Sequence, residues 1–194
     1  MRKILCYGDS NTWGQAEFNG RIADEKQWPN ILQAGLPDYK VVKEGLGARI
    51  AGDYDKDQPY RNGKSAYEVA FRSANPIDIV IIALGTNDLK PRYNRTAEQI
   101  VDDLLWYAQE SNRLTDKFDQ PHPRMIYLLP ANFTSGDYYN GNEEVRQKVI
   151  ALMKQKSYEY IELNGLKMTK DGVHYSYEAH EQVAQLVKEK IMEK

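Results

Sequence analysis

The hydrophobic positions of this chain fall in short runs and spaced stripes that alternate along its length. Ile4 to Tyr7 is an apolar run closed abruptly by Gly8, Asp9 and Ser10, the pattern of a strand that empties into a tight turn. Trp28, Ile31, Leu32 and Leu36 then recur at helical spacing, with Pro29 suited to a first turn and Gly35 to a left-handed cap. Tyr39 to Lys43 is a β-branched run and predicts a second strand, feeding the glycine-bearing stretch Glu44 to Arg49. Residues 51–64 follow without periodicity, a loop long enough to suggest function. Ser65 to Glu68 reads as a capping box that opens a helix over Ala66 to Ser73. Asp78 to Leu84 is the most apolar stretch of the chain and predicts a central strand covered on both faces.

The second half repeats the pattern. Thr96 to Gln99 forms another capping box, before a helix whose stripe is Ile100, Val101, Leu104, Leu105 and Ala108. Arg124 to Leu129 predicts a fourth strand, Asn142 caps a helix carrying Val145, Val149 and Leu152, and Tyr158 to Leu163 predicts a fifth strand. The last helix runs from Tyr177 to Met192, with Val183, Leu186, Val187 and Ile191 inward and lysines near its end. Such alternation predicts a three-layer α/β/α sandwich around a five-stranded parallel sheet, as a single domain over residues 1–194. In open sheets of this class ligands sit beyond the carboxyl ends of the strands, which is where chemically capable residues should lie.

Composition narrows function more than fold. The net charge of -2 offers no broad basic field for nucleic acid and no polybasic membrane surface, so neither partner is expected. Cys6 is the single cysteine, which excludes an intramolecular disulfide and agrees with a reducing compartment. No apolar run approaches the roughly 20 residues that span a bilayer, and the segment after Met1 lacks the features of a signal peptide. A cytoplasmic protein is therefore expected. The 14 tyrosines, read as largely exposed, and the loop over residues 53–61 are material for a subunit interface, so a homo-oligomer stays open.

The predicted strand ends deliver Gly8-Asp9-Ser10, then Gly45 to Arg49, then Gly85-Thr86-Asn87-Asp88, and the loop before the last helix carries Asp171-Gly172-Val173-His174. Acyl transfer from an ester needs a nucleophile, a base to take its proton, a carboxylate to hold the imidazole, and donors for the oxyanion. Ser10 is the candidate nucleophile. His122, between two prolines, reads as a solvated loop residue, and His180, inside the last helix, as a structural one. His174 stands three residues after Asp171, so one turn can offer the carboxylate to one ring nitrogen while the other faces Ser10. The oxyanion donors would be the main-chain N–H groups of Ser10 and Ala48 and the side-chain amide of Asn87, with Gly45 and Gly47 letting backbone approach the substrate. Asp9 and Asp88 read as braces for their loops. Each motif alone also has a plain reading: a polar turn at Ser10, a left-handed turn residue at Asn87, a surface salt bridge at Arg49.

Together these four blocks resemble those of the SGNH, or GDSL-type, hydrolases, in the family's order and spacing. The resemblance implies a flavodoxin-like fold and a serine esterase that needs no metal or cofactor, with Ser10, Asp171 and His174 as its triad. Glu44 to Arg49 and the loop ending in Arg61-Asn62-Gly63 are similar to the arylesterase and acetyl-transfer branch, which implies a short acyl group on a small-molecule or carbohydrate ester. Asn11 stands where many members have leucine and Ala48 where many have glycine; Asn11 is expected at the pocket entrance, Trp13 in the pocket wall, and Arg49 against the alcohol portion. Two other classes compete, a non-catalytic binding module on the same fold and a phosphate or nucleotide binder. Against the latter, no Gly-x-Gly-x-x-Gly or Walker lysine follows the first strand.

Overall fold

The computed structural model describes residues 1–17, 20–133 and 142–193. Its strands β1 (Arg2–Gly8), β2 (Tyr39–Gly45), β3 (Ile79–Ala83), β4 (Arg124–Leu128) and β5 (Glu159–Ile161) pair in parallel in the order β2-β1-β3-β4-β5. All five fall on the predicted runs. Strand β2 runs on past Lys43 because Glu44 and Gly45 stay in register with Tyr7 and Gly8.

Among the described residues the helices are α1 (Ser10–Trp13), α2 (Trp28–Gly35), α3 (Gly63–Ala74), α4 (Ala97–Asp116), α5 (Glu143–Lys154) and α6 (Tyr177–Met192). Alternation along β1 decides which of them each side chain meets. Leu5 and Tyr7 face the layer that holds Tyr67 and Phe71 of α3, Leu104 and Tyr107 of α4, and Val149 of α5. Ile4 and Cys6 face the opposite layer, against Leu32 of α2 and Val183, Val187 and Ile191 of α6. With helices on both sides, Ile79 to Ile82 of β3 are all buried, which is why that stretch shows no polar face. No helix among the described residues is long and apolar enough to cross a membrane.

Three local signals resolve differently from their reading in the sequence. Helix α3 begins at Gly63 rather than Ala66, because the Gly63 N–H is already engaged by the carbonyls of Ile50 and Gly52. Ser65 therefore lies inside the helix, and its N–H and hydroxyl donate to the Asp53 carboxylate at 3.0 and 2.7 Å. Gly35 is the last residue of α2 and not a left-handed cap; Leu36 takes the cap position with φ -132°. Asn142 does sit at the N-cap of α5, but its side chain donates away from the helix to the Leu89 carbonyl. The Thr96–Gln99 box, by contrast, forms in full at the start of α4.

The tyrosines are not mainly a surface feature. Tyr7, Tyr67, Tyr107, Tyr127 and Tyr175 are buried. Tyr138 and Tyr139 lie outside the described residues. The Tyr107 hydroxyl donates to the Ala51 carbonyl at 2.7 Å and the Tyr7 hydroxyl to the Gly63 carbonyl at 2.6 Å. Two core phenols thus fix both ends of the aperiodic loop, satisfying carbonyls that would be costly to bury unpaired.

His180 is fully buried, as a structural histidine. Its Nδ1 accepts the Trp28 N–H at 3.2 Å, while Nε2 has no partner among the described residues. Burial, with the nearby His174 adding to it, lowers its pKa to about 4. The neutral ring is the folded form, so its contribution to stability is present above the ordinary histidine range and is lost as pH falls toward 4. A drop from 6.5 to about 4 corresponds to about 3 kcal/mol. Chemical denaturation of wild type and His180→Gln at pH 7 and pH 4 is expected to show their stability difference shrinking in acid; a difference independent of pH would contradict this.

Candidate active site

Strand β1 lies between β2 and β3, with Gly8 opposite both Gly45 and Ala83. The connection after β1 leads to β2 and the one after β3 leads to β4 on the opposite side, so the crevice opens beyond the ends of β1 and β3. Ser10 is the first residue of α1, and Asp9 caps that helix by accepting the Asn11 N–H at 2.9 Å. Gly45 is explained by this packing rather than by approach to a substrate. A Cβ there would lie 2.2 Å from the backbone nitrogen of Trp13, so only glycine lets α1 settle over the end of β2.

The turn before α6 carries the complementary groups. Gly172 adopts φ 75°, a left-handed conformation that folds the following backbone over Asp171. Asp171 Oδ1 accepts from the Val173 N–H at 2.9 Å, the His174 N–H at 3.0 Å and the Thr169 hydroxyl at 2.9 Å. Its Oδ2 lies 2.7 Å from His174 Nδ1, and His174 Nε2 lies 3.0 Å from Ser10 Oγ. Burial of the Asp171 carboxyl opposes ionisation. The hydrogen bonds from the His174 ring and the two amides outweigh it, holding the pKa down at about 2. The geometry therefore lines up an ionised carboxylate, an imidazole with one nitrogen committed to it, and a hydroxyl on the other nitrogen.

The elements that carry Ala48 and Asn87 meet each other. The Asn87 side-chain amide donates to the Arg49 carbonyl at 3.0 Å, joining the turn after β3 to the loop after β2. Ala48 has φ 59°, a left-handed conformation that costs a residue with a Cβ about 1 kcal/mol. Ser10, at the start of α1, contributes an N–H of the kind helices leave free. Asp88, buried behind Asn87, takes the Ala51 N–H on both oxygens at 2.9 and 3.0 Å and accepts from the Tyr54 hydroxyl. It braces its loop, as does Asp9. Burial pushes their pKa values up, Asp88 to about 6 against the Tyr54 and Ala51 hydrogen bonds, and Asp9 to about 7 against the Asn11 N–H and Lys90.

Two residues expected at the substrate, Arg49 and Asn11, are buried and hydrogen-bonded within the protein. The Arg49 side chain is buried, donates to the carbonyls of Gly8 at 3.1 Å and Glu44 at 2.6 Å, and stacks 4.2 Å from the Tyr7 ring centroid. It ties the ends of β1 and β2 together and makes no ion pair among the described residues. Asn11, also buried, directs its side-chain amide to the Val173 carbonyl and the Tyr175 N–H. Trp13 is half-buried, its ring 4.8 Å from the Arg21 guanidinium. The sequence reading passed over Thr169, though a hydroxyl two residues before a candidate acid is a local signal, and Lys90. Burial, helped by Arg92 and Arg61 and opposed by Asp9 and Asp88, lowers the Lys90 pKa to about 8.

The chain is similar to known proteins over nearly its whole length. Est24, a carbohydrate acetylesterase from Sinorhizobium meliloti, is 26% identical in sequence, with a TM-score of 0.88 and 98% of each chain covered. A putative arylesterase from Agrobacterium tumefaciens is 28% identical, with a TM-score of 0.87 and again 98% of each chain covered. An acetylxylan esterase from Xylanibacter ruminicola is 25% identical over 213 residues, which take in 95% of this chain. The chain spans 42% of the length of that curated relative. The model of the GDSL-like lipase/acylhydrolases matches residues 4–187, nearly the whole of the sheet and its helices, and the chain belongs to that family.

Proposed function

We propose that this chain hydrolyses carboxylic esters of small molecules or carbohydrates that carry a short acyl group, acetyl foremost, through an acyl-enzyme on Ser10. The observation that carries this reading is the continuous relay from Asp171 Oδ2 through His174 to Ser10 Oγ, with separations of 2.7 and 3.0 Å. Ser10 Oγ attacks the ester carbonyl while His174 Nε2 takes its proton, and Asp171 stabilises the imidazolium that forms. The carbonyl oxygen becomes an oxyanion, which accepts from the Ser10 and Ala48 main-chain N–H groups and from the Asn87 amide N–H not directed at Arg49. His174 returns the proton to the departing alcohol oxygen. Water then attacks the acyl-serine with the same base and donors, releasing the acid and restoring Ser10.

The acyl preference draws support from relatives described as acetylxylan esterase and carbohydrate acetylesterase. A series of p-nitrophenyl esters from acetate to palmitate, run beside acetylated xylan, tests it. The expected result, if the acyl preference is that of the acetylesterase relatives, is kcat/KM highest for acetate and lower by about 10-fold or more at eight carbons. A preference for long chains would overturn the acetyl reading and leave the esterase reading standing.

A further inference from the structure

The base and the nucleophile belong to segments 164 residues apart, and something must hold one against the other. Asp171 and Thr169 grip His174 through its ring, its N–H and its carbonyl, but they belong to the same loop. They orient the imidazole within that loop and leave the distance from the loop to α1 unset. Among the described residues, three hydrogen bonds join this loop to the Ser10 turn. One is the His174–Ser10 contact itself. The other two come from one side chain: Asn11 Nδ2 donates to the Val173 carbonyl at 3.3 Å, and Asn11 Oδ1 accepts the Tyr175 N–H at 3.0 Å.

Val173 and Tyr175 flank His174 on either side. A planar amide offers an acceptor and a donor on one rigid group, as a carbonyl and an N–H placed around the base require. Asn11 is itself buried, and its own N–H is held by the Asp9 carboxylate at 2.9 Å. We propose that Asn11 is a positioning residue which clamps the backbone on both sides of His174 and sets the separation of Nε2 from the Ser10 hydroxyl. Catalytic groups must be held within about 0.5 Å of the productive geometry, and a shift of about 1 Å can lower turnover by about 100-fold.

The inference rests on reading Ser10 and His174 as nucleophile and base. Its test is kcat and KM for p-nitrophenyl acetate in wild type, Asn11→Ala and Asn11→Asp, expressed per serine titrated with a fluorophosphonate so that misfolded protein drops out. Asn11→Ala removes both hydrogen bonds, and its kcat is expected to fall by about 30- to 100-fold with KM within about 3-fold. Asn11→Asp keeps an acceptor for the Tyr175 N–H and is expected to lose about 10-fold, between the other two. A kcat within about 2-fold of wild type in either folded variant, or a loss residing in KM alone, would overturn the proposal. Failure of both variants to fold would overturn it in favour of a purely structural role. Failure of the underlying reading has a different signature, an unlabelled Ser10 in the wild-type protein.

Discussion

Ser10→Ala is expected to lower kcat for p-nitrophenyl acetate by about 10⁵- to 10⁶-fold, to the level set by substrate binding and the oxyanion donors alone. The substitution removes one hydroxyl from the first turn of α1 and leaves its other supports in place: the Asp9 cap on the Asn11 N–H, the seat over Gly45, and the Asn11 bonds to the far loop. Its melting temperature should therefore stay close to that of wild type. Without the hydroxyl no acyl-enzyme can form, and His174 is left to activate water without a covalent route. A residual activity within about 100-fold of wild type, after subtraction of uncatalysed hydrolysis, would show that chemistry proceeds elsewhere on the protein.

Asp171→Asn is expected to lower kcat by about 10⁴-fold. The reason is the proton inventory of the relay. Asp171 presents only acceptors, so His174 Nδ1 must carry the hydrogen and Nε2 is free to take the serine proton. An asparagine oxygen at Oδ1 can still receive the Val173 and His174 N–H groups, which keeps the turn closed. Its amide nitrogen then faces Nδ1 and favours the opposite tautomer, with Nε2 protonated and useless as a base. The fold should persist while turnover collapses, which a paired measurement of kcat and thermal unfolding checks. A loss smaller than about 10-fold would contradict the assigned role of the carboxylate.

Much of this was legible in the sequence because its cause is local. The strand runs follow from burial on both faces, the Thr96–Gln99 box from hydrogen bonds within four consecutive residues, and the Asp171–His174 pairing from a turn that closes on itself. What the sequence hid depends on partners far along the chain. Asn11 reads as a polar residue at the pocket entrance, and its bonds to Val173 and Tyr175 stay hidden until those residues, 162 and 164 positions away, are brought beside it. Arg49 reads as a surface cation, yet the carbonyls of Gly8 and Glu44 and the Tyr7 ring make a buried guanidinium tolerable at the sheet edge. Ser65 carries a good capping signal and still lies inside its helix, because loop carbonyls engage the chain at Gly63 and Asp53 takes the serine. Gly45 announces a close approach correctly, but the approaching backbone is that of α1.

A fluorophosphonate bonds covalently only to a serine that an adjacent base has activated, which makes the site of its attachment the most direct probe of the relay from Asp171 through His174. Mass spectrometry of the digested adduct is expected to find one phosphonyl group per chain, on Ser10, and none on the Ser10→Ala protein. Folded wild-type protein that takes up no label, or takes it up at another residue, would contradict the account.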